Sequence, residues 1–188
     1  MAFLQSGGSV VGSAQINDGA IVNADVNAAA AIAATKLSGL PYQVIGDITL
    51  GSTGNTLELT SLPARTFLRC IMFAPSTASS QVSLNFNGDV AANYDRSYSI
   101  DGGGTTPATA QSTILMETAA QTATRLWTVD IINVATSPKL VRGFGQYSHR
   151  FYESGGAWNN SSVQIDRITF NATTFAIGSR LIVMGMNS

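Results

Sequence analysis

Arg125-Leu126-Trp127-Thr128-Val129-Asp130-Ile131-Ile132-Asn133-Val134 is the stretch on which the fold turns. Trp127, Val129 and Ile131 recur at a period of two on one side, with Thr128 and Asp130 on the other, as a strand with one buried and one wet face demands. Short runs of the same kind, rich in β-branched, aromatic and aliphatic residues, occupy 45–50, 56–62, 66–73, 81–86, 112–116, 140–152, 163–170 and 180–186. Between them stand Gly51-Ser52-Thr53-Gly54-Asn55, Asn87-Gly88-Asp89, Asp101-Gly102-Gly103-Gly104 and Glu153-Ser154-Gly155-Gly156. These residues tolerate positive φ or hydrogen-bond their own backbone, so each group is expected to be a turn. Leu181-Ile182-Val183-Met184 is apolar on both faces and is expected to lie centrally in a sheet or against another subunit. No long amphipathic helix follows residue 40, which argues against an α/β enzyme. The expected fold is all-β: an antiparallel two-sheet sandwich, jelly-roll-like, over residues 41–188.

The preceding residues, 1–40, differ in kind. They hold no Trp or Tyr and are filled with Ala, Gly, Ser and Asn. Ile16, Ile21, Val26, Ile32 and Leu37 recur every five or six residues, a spacing that fits neither helix nor strand. A short helix over 24–37 is the one regular element with room to form, with Asp25 to cap its start and Gly39 to end it. Ordering forty backbones costs about 1–2 kcal/mol each, which so few large side chains cannot offset. The segment is therefore expected to be an extended N-terminal arm, ordered by lying on neighbouring chains.

Composition points the same way. Charged residues make up 11% of the 188-residue chain, against an average of about 25%. A folded protein so poor in charge covers its outside with neutral polar and small residues, and such a surface docks on other subunits at little desolvation cost. The net charge of −1 and the absence of a basic run exclude a nucleic-acid partner of the usual kind. Lys36 is the first basic residue and no apolar stretch nears the roughly 20 residues of a membrane span, so a soluble chain assembled in a cytoplasm, with no membrane partner, is expected. Cys70 is the single cysteine and sits in an apolar run, as a buried inert thiol would.

The residues offer little to catalysis. His149 is the one histidine, and alternation places it beside Tyr147 and Phe151 on a strand face, without a recognisable nucleophile or carboxylate to complete a triad. One Cys and one His cannot supply a structural zinc set. Asn87 and Asp89 gather oxygen donors around a glycine turn, a weak calcium candidate, but the pattern lacks spaced carboxylates and a terminal Glu, so backbone capping is the favoured reading. Gly143-Phe144-Gly145 has neither the third glycine nor the following helix of a nucleotide loop. No cofactor is expected. Trp127, Trp158, Tyr94 and Tyr98 offer ring faces for a sugar, with Trp158 and Tyr94 the best candidates for contact with a host surface glycan.

Two segments resemble bacteriophage virion structural proteins. Gly12-Ser13-Ala14-Gln15-Ile16-Asn17-Asp18-Gly19-Ala20-Ile21-Val22-Asn23-Ala24-Asp25-Val26, with Ala31-Ile32-Ala33-Ala34-Thr35-Lys36-Leu37, is similar to the I-x-D-G-x-I-x-N-A-D-I … A-I-A-x-S-K-L segments that form trimeric stems or attachment arms in phage fibres. Phe86-Asn87-Gly88-Asp89-Val90-Ala91-Ala92-Asn93-Tyr94 is similar to an F-N-x-D-x-x-x-N-Y signature of small phage β-domains, which often end as this chain does with Gly178-Ser179-Arg180-Leu181-Ile182-Val183-Met184-Gly185. The resemblance implies a non-enzymatic homotrimer in the virion, a capsid decoration or short head-fibre protein docked on the major capsid protein or another virion protein. A tail-associated receptor-binding module is the alternative it allows. Ile16, Ile21, Val26, Ile32 and Leu37 would then meet around a threefold, and Leu181, Val183 and Met184 would add a second subunit contact.

Overall fold

In the computed structural model, which describes residues 42–75, 80–121 and 123–186, the regular elements are all strands. They are β1 (Gln43–Thr49), β2 (Gly54–Leu59), β3 (Phe67–Ala74), β4 (Ser80–Phe86), β5 (Tyr94–Ile100), β6 (Thr106–Gln111), β7 (Ile114–Gln121), β8 (Arg125–Ile132), β9 (Lys139–Tyr147), β10 (Arg150–Trp158), β11 (Ile168–Phe175) and β12 (Arg180–Met186). Eight form one sheet in the order β1-β12-β3-β8-β9-β10-β5-β6, and four form a second in the order β2-β11-β4-β7. Every neighbouring pair is antiparallel.

Setting aside the β5–β6 and β9–β10 hairpins leaves strands that pair as first–eighth–third–sixth in one sheet and second–seventh–fourth–fifth in the other. That is the connectivity of a jelly roll. The two hairpins extend the larger sheet on one side, and β7 of the smaller sheet packs against β10 and β5. A Ser154 hydroxyl on β10 donates to the Leu115 carbonyl on β7 at 2.6 Å, closing that side.

The core follows from alternation. On β8, Trp127, Val129 and Ile131 point inward, while Thr128 and Asp130 lie on the outer face. They meet Leu68, Cys70 and Met72 of β3, Leu181 and Val183 of β12, and Leu84, Phe86, Ile168 and Phe170 of the smaller sheet. Burial pushes the Cys70 thiol well above its ordinary value and keeps it protonated. β12 lies between β1 and β3, the central position its two apolar faces called for.

Residues 140–152 do not form the single strand expected of them. Tyr147 pairs with Arg150, so Ser148 and His149 make a two-residue hairpin loop, with Ser148 at a φ of 50°. Conversely, Glu153-Ser154-Gly155-Gly156 is not a turn but the middle of β10. A Cβ on Gly156 would collide with the Asp95 carbonyl of β5, so these glycines mark a close approach of two backbones. Gly143 and Gly145 have a related cause: both face inward, where the Met116 methyl and the Trp127 indole fill the space a side chain would take. β5 and β6 had no counterpart among the expected strands: in β5 Arg96 interrupts the face of Tyr94, Tyr98 and Ile100, and Asp95, Ser97 and Ser99 alternate with it, so the short stretch reads as polar.

Candidate interaction surface

The outward positions of the two sheets differ in chemistry. On the smaller sheet they are Thr56 and Glu58 of β2, Ser83 of β4, and Thr169 and Asn171 of β11, with the Thr169 hydroxyl donating to Glu58 at 2.8 Å. On the larger sheet they include Phe73 of β3, Leu126 and Ile132 of β8, Leu140 and Phe144 of β9, and Phe151 of β10. All six are between 41% and 60% exposed. Register brings them together: Phe73 is opposite Leu126, and Ile132 is opposite Leu140.

A band of charge crosses this face. Arg69 of β3 grips Asp130 of β8 through two hydrogen bonds, of 2.6 and 2.9 Å, and its guanidinium lies 5.3 Å from the centre of the Tyr42 ring. Arg180 and Asp47 form a second two-pronged pair between β12 and β1. Next in the band, Arg142 of β9 lies over the Phe144 ring, 4.6 Å from its centre. Glu153 of β10 is opposite Phe144, and Gly155 is opposite Arg142. Two hollows flank Arg142. One, of about 220 Å³, is lined by Tyr42, Phe67, Ile132 and Leu140; the other, of about 190 Å³, by Ser97, Tyr98, Thr105 and Glu153. Exposed apolar area of this extent, crossed by a few fixed charges, is the physical character of surfaces used in association.

The residues singled out from sequence are distributed differently. Ile16, Ile21, Val26, Ile32 and Leu37, and the short helix over 24–37, lie outside the described residues. Leu181 and Val183 are fully buried in the core, so their side chains cannot serve a second subunit contact; alternation sends Met184 and Ile182 to the outer face instead. Trp158 and Tyr94 do come together, stacked with ring centres 6.3 Å apart, but at 1% and 0% exposure they show no face to a sugar.

The turn between β4 and β5 explains why these rings are inside. The Trp158 indole N–H donates to Asp89 Oδ2 at 2.7 Å, Asn93 Nδ2 donates to the same oxygen at 2.9 Å, and the Ala91 amide donates to Oδ1 at 2.9 Å. Burial alone would raise the Asp89 carboxyl, but these three hydrogen bonds outweigh it and hold the pKa below its ordinary value. The Tyr94 hydroxyl accepts from the Phe86 amide at 3.0 Å and donates to the Asp89 carbonyl at 3.1 Å. Asn87 Oδ1 accepts from the Asp166 and Arg167 amides. Asn87 and Asp89 thus cap backbone and side-chain donors as expected of a self-capping turn, and among the described residues no group of three or more His, Cys, Asp or Glu is placed to hold a metal. His149 stands exposed at the β9–β10 tip, 3.2 Å from the Ser148 hydroxyl, and not on a strand face beside Tyr147 and Phe151.

Sequence reasoning did not pick out Leu126, Phe144, Phe151, Arg142 or Glu153. The signal was present: β8 carries Leu126 and Ile132 outward while Trp127 and Ile131 go inward, the same two-faced greasiness that marked β12. Compared with known proteins, the chain matches no family model, no curated protein and no solved structure.

Proposed function

We propose that this chain is a structural protein of a bacteriophage particle: a homotrimeric capsid decoration or short head-fibre protein. Residues 1–40 dock on the major capsid protein or another virion protein, and the sandwich stands outside. The observation that carries this reading is the large sheet's outer face, where six exposed apolar side chains lie on a chain with 11% charged residues. A free monomer of this size has no use for such a face; an assembled subunit does. The arm and turn segments that resemble phage virion proteins supply the kind of assembly. Subunits held in this way bridge their neighbours and shift the shell toward its intact state by mass action.

Binding to particles tests it. Purified full-length chain is expected to sediment with particles lacking it, and cryo-electron microscopy is expected to place it on the head. Removal of residues 1–40 should abolish binding while circular dichroism still reports the sandwich; undiminished binding by the shortened chain would overturn the arm's role. The tail-associated reading predicts instead density at the tail and adsorption of the pure protein to host cells, and it has lost Trp158 and Tyr94 as its sugar platform.

A further inference from the structure

We infer that the outer face of the eight-stranded sheet is a contact between copies of this chain, with the β3-β8-β9-β10 strip of one sandwich laid against that of a second. This rests on the assembly reading above and adds a twofold contact between sandwiches, separate from the threefold contact proposed for the arms.

The charges select the occupant. Arg69 with Asp130, and Arg180 with Asp47, are already neutralised in place. Arg142 and Glu153 remain, one of each sign on adjacent strands, and among the described residues neither makes an ion pair. A strongly acidic or basic partner would find its charge unmatched on a face whose own charges cancel. A second copy brings Glu153 to Arg142 and Arg142 to Glu153, and it lays apolar residues on apolar residues around them. Gly155 leaves backbone height between the two, so that a side chain of the partner can enter the hollows on either side of Arg142.

Size and edges fit a modest contact. Four strands at about 4.8 Å spacing and about seven residues long give a flat footprint of about 450 Å², below the roughly 800 Å² per partner of a standard interface and in keeping with a weak, concentration-dependent association. Edge-to-edge pairing is obstructed, since β1, β6, β2 and β7 each carry a register shift where they join their sheet and β6 also bears Pro107. The face is left as the sandwich's own route to association.

The test is sedimentation velocity of the full-length chain over a range of concentrations at low salt, with circular dichroism to show that each variant is folded. Arg142→Glu and Glu153→Arg should each raise the dissociation constant about tenfold or more, and the double exchange should return it to within about threefold of the native value. Leu126→Asp with Phe144→Asp should abolish the contact. The same series is run with Ile16, Ile21 and Val26 changed to Ser, which removes the arm contact proposed above. Association that survives the arm changes and yields to the face changes supports this inference and sinks the arm trimer. Association that yields to the arm changes and ignores the face changes overturns this inference and leaves the arm trimer standing. A native chain that stays monomeric overturns both.

Discussion

The Trp158 indole nitrogen donates a 2.7 Å hydrogen bond to Asp89, tying the end of β10 to the turn after β4. The ring also packs on Phe86, with centres 5.8 Å apart, so one side chain joins the large sheet to the small one and to their connection. The order of events in sequence, a lone Asp in a Gly turn and a Trp some seventy residues later, gives way in space to one cluster.

Asp89→Ala should therefore cost about 1–3 kcal/mol, because it strands the Trp158 N–H and frees the Ala91 and Asn93 donors. The effect is also pH-dependent. The folded pKa lies below the ordinary carboxyl value, so the folded state gives up this proton more readily than the unfolded chain does. Its contribution is complete above the ordinary carboxyl range and is lost as pH falls through the lowered folded value. Urea unfolding followed by tryptophan fluorescence at pH 6 and pH 3 checks this: Asp89→Asn should lose less stability on acidification than the native chain.

Gly145→Ala is expected to cost about 1–3 kcal/mol or more, since the added methyl lands on the Trp127 indole and a buried ring has nowhere to go. Gln146→Ala, one residue along and facing outward, should stay within about 0.5 kcal/mol of native. Thermal melts of the pair separate packing at one position from the general tolerance of β9.

The same ring accounts for what the residues concealed. At 125–134 the alternation is plain, because large apolar and polar side chains take turns, and that stretch alone disclosed the sandwich. At 139–158 the middle inward positions of β9 are Gly143 and Gly145, emptied to admit the Met116 methyl and the Trp127 indole, so the alternation is blank where it should be strongest and the glycines of β10 pass for a turn. Two buried aromatics, Trp158 and Tyr94, read equally well as a sugar platform or as core, since a residue's type does not say which side of the sheet it is on. Leu126, Phe144 and Phe151 were overlooked for the converse reason: beside Trp127 and Tyr152 they pass for more core, and only the register sends them outward.

Lys139 should prove as structural as any apolar residue. Its ammonium is buried, donates to the carbonyls of Ser137 and Asn160 at 2.7 Å each and reaches Ala135 at 3.4 Å, with the Trp158 ring centre 5.8 Å away. Burial lowers its pKa, but the carbonyls give the charge partners in place of a carboxylate. Lys139→Met keeps most of the volume and removes the donors, and a loss of about 1–3 kcal/mol is expected in urea unfolding. Hydrogen exchange should quicken in the 133–138 and 159–162 loops that the ammonium joins.

The buried pair Glu117 and Arg125 yields the sharpest stability prediction. Their 2.6 Å contact joins β7 to β8, the crossing from the small sheet to the large one, with both side chains at 1% exposure or less. Burial pushes the Glu117 carboxyl up, against the pull of Arg125, and one of its oxygens has no hydrogen-bond partner among the described residues. Desolvation thus offsets much of the attraction, and the pair holds the crossing in register more than it adds net stability. Glu117→Leu alone leaves a guanidinium without its carboxylate and should cost about 3–5 kcal/mol. Glu117→Leu with Arg125→Met removes both charges and should recover most of that loss. Measured in urea, a double variant no more stable than Glu117→Leu alone would show that the pair is a true source of stability and that desolvation does not offset its attraction.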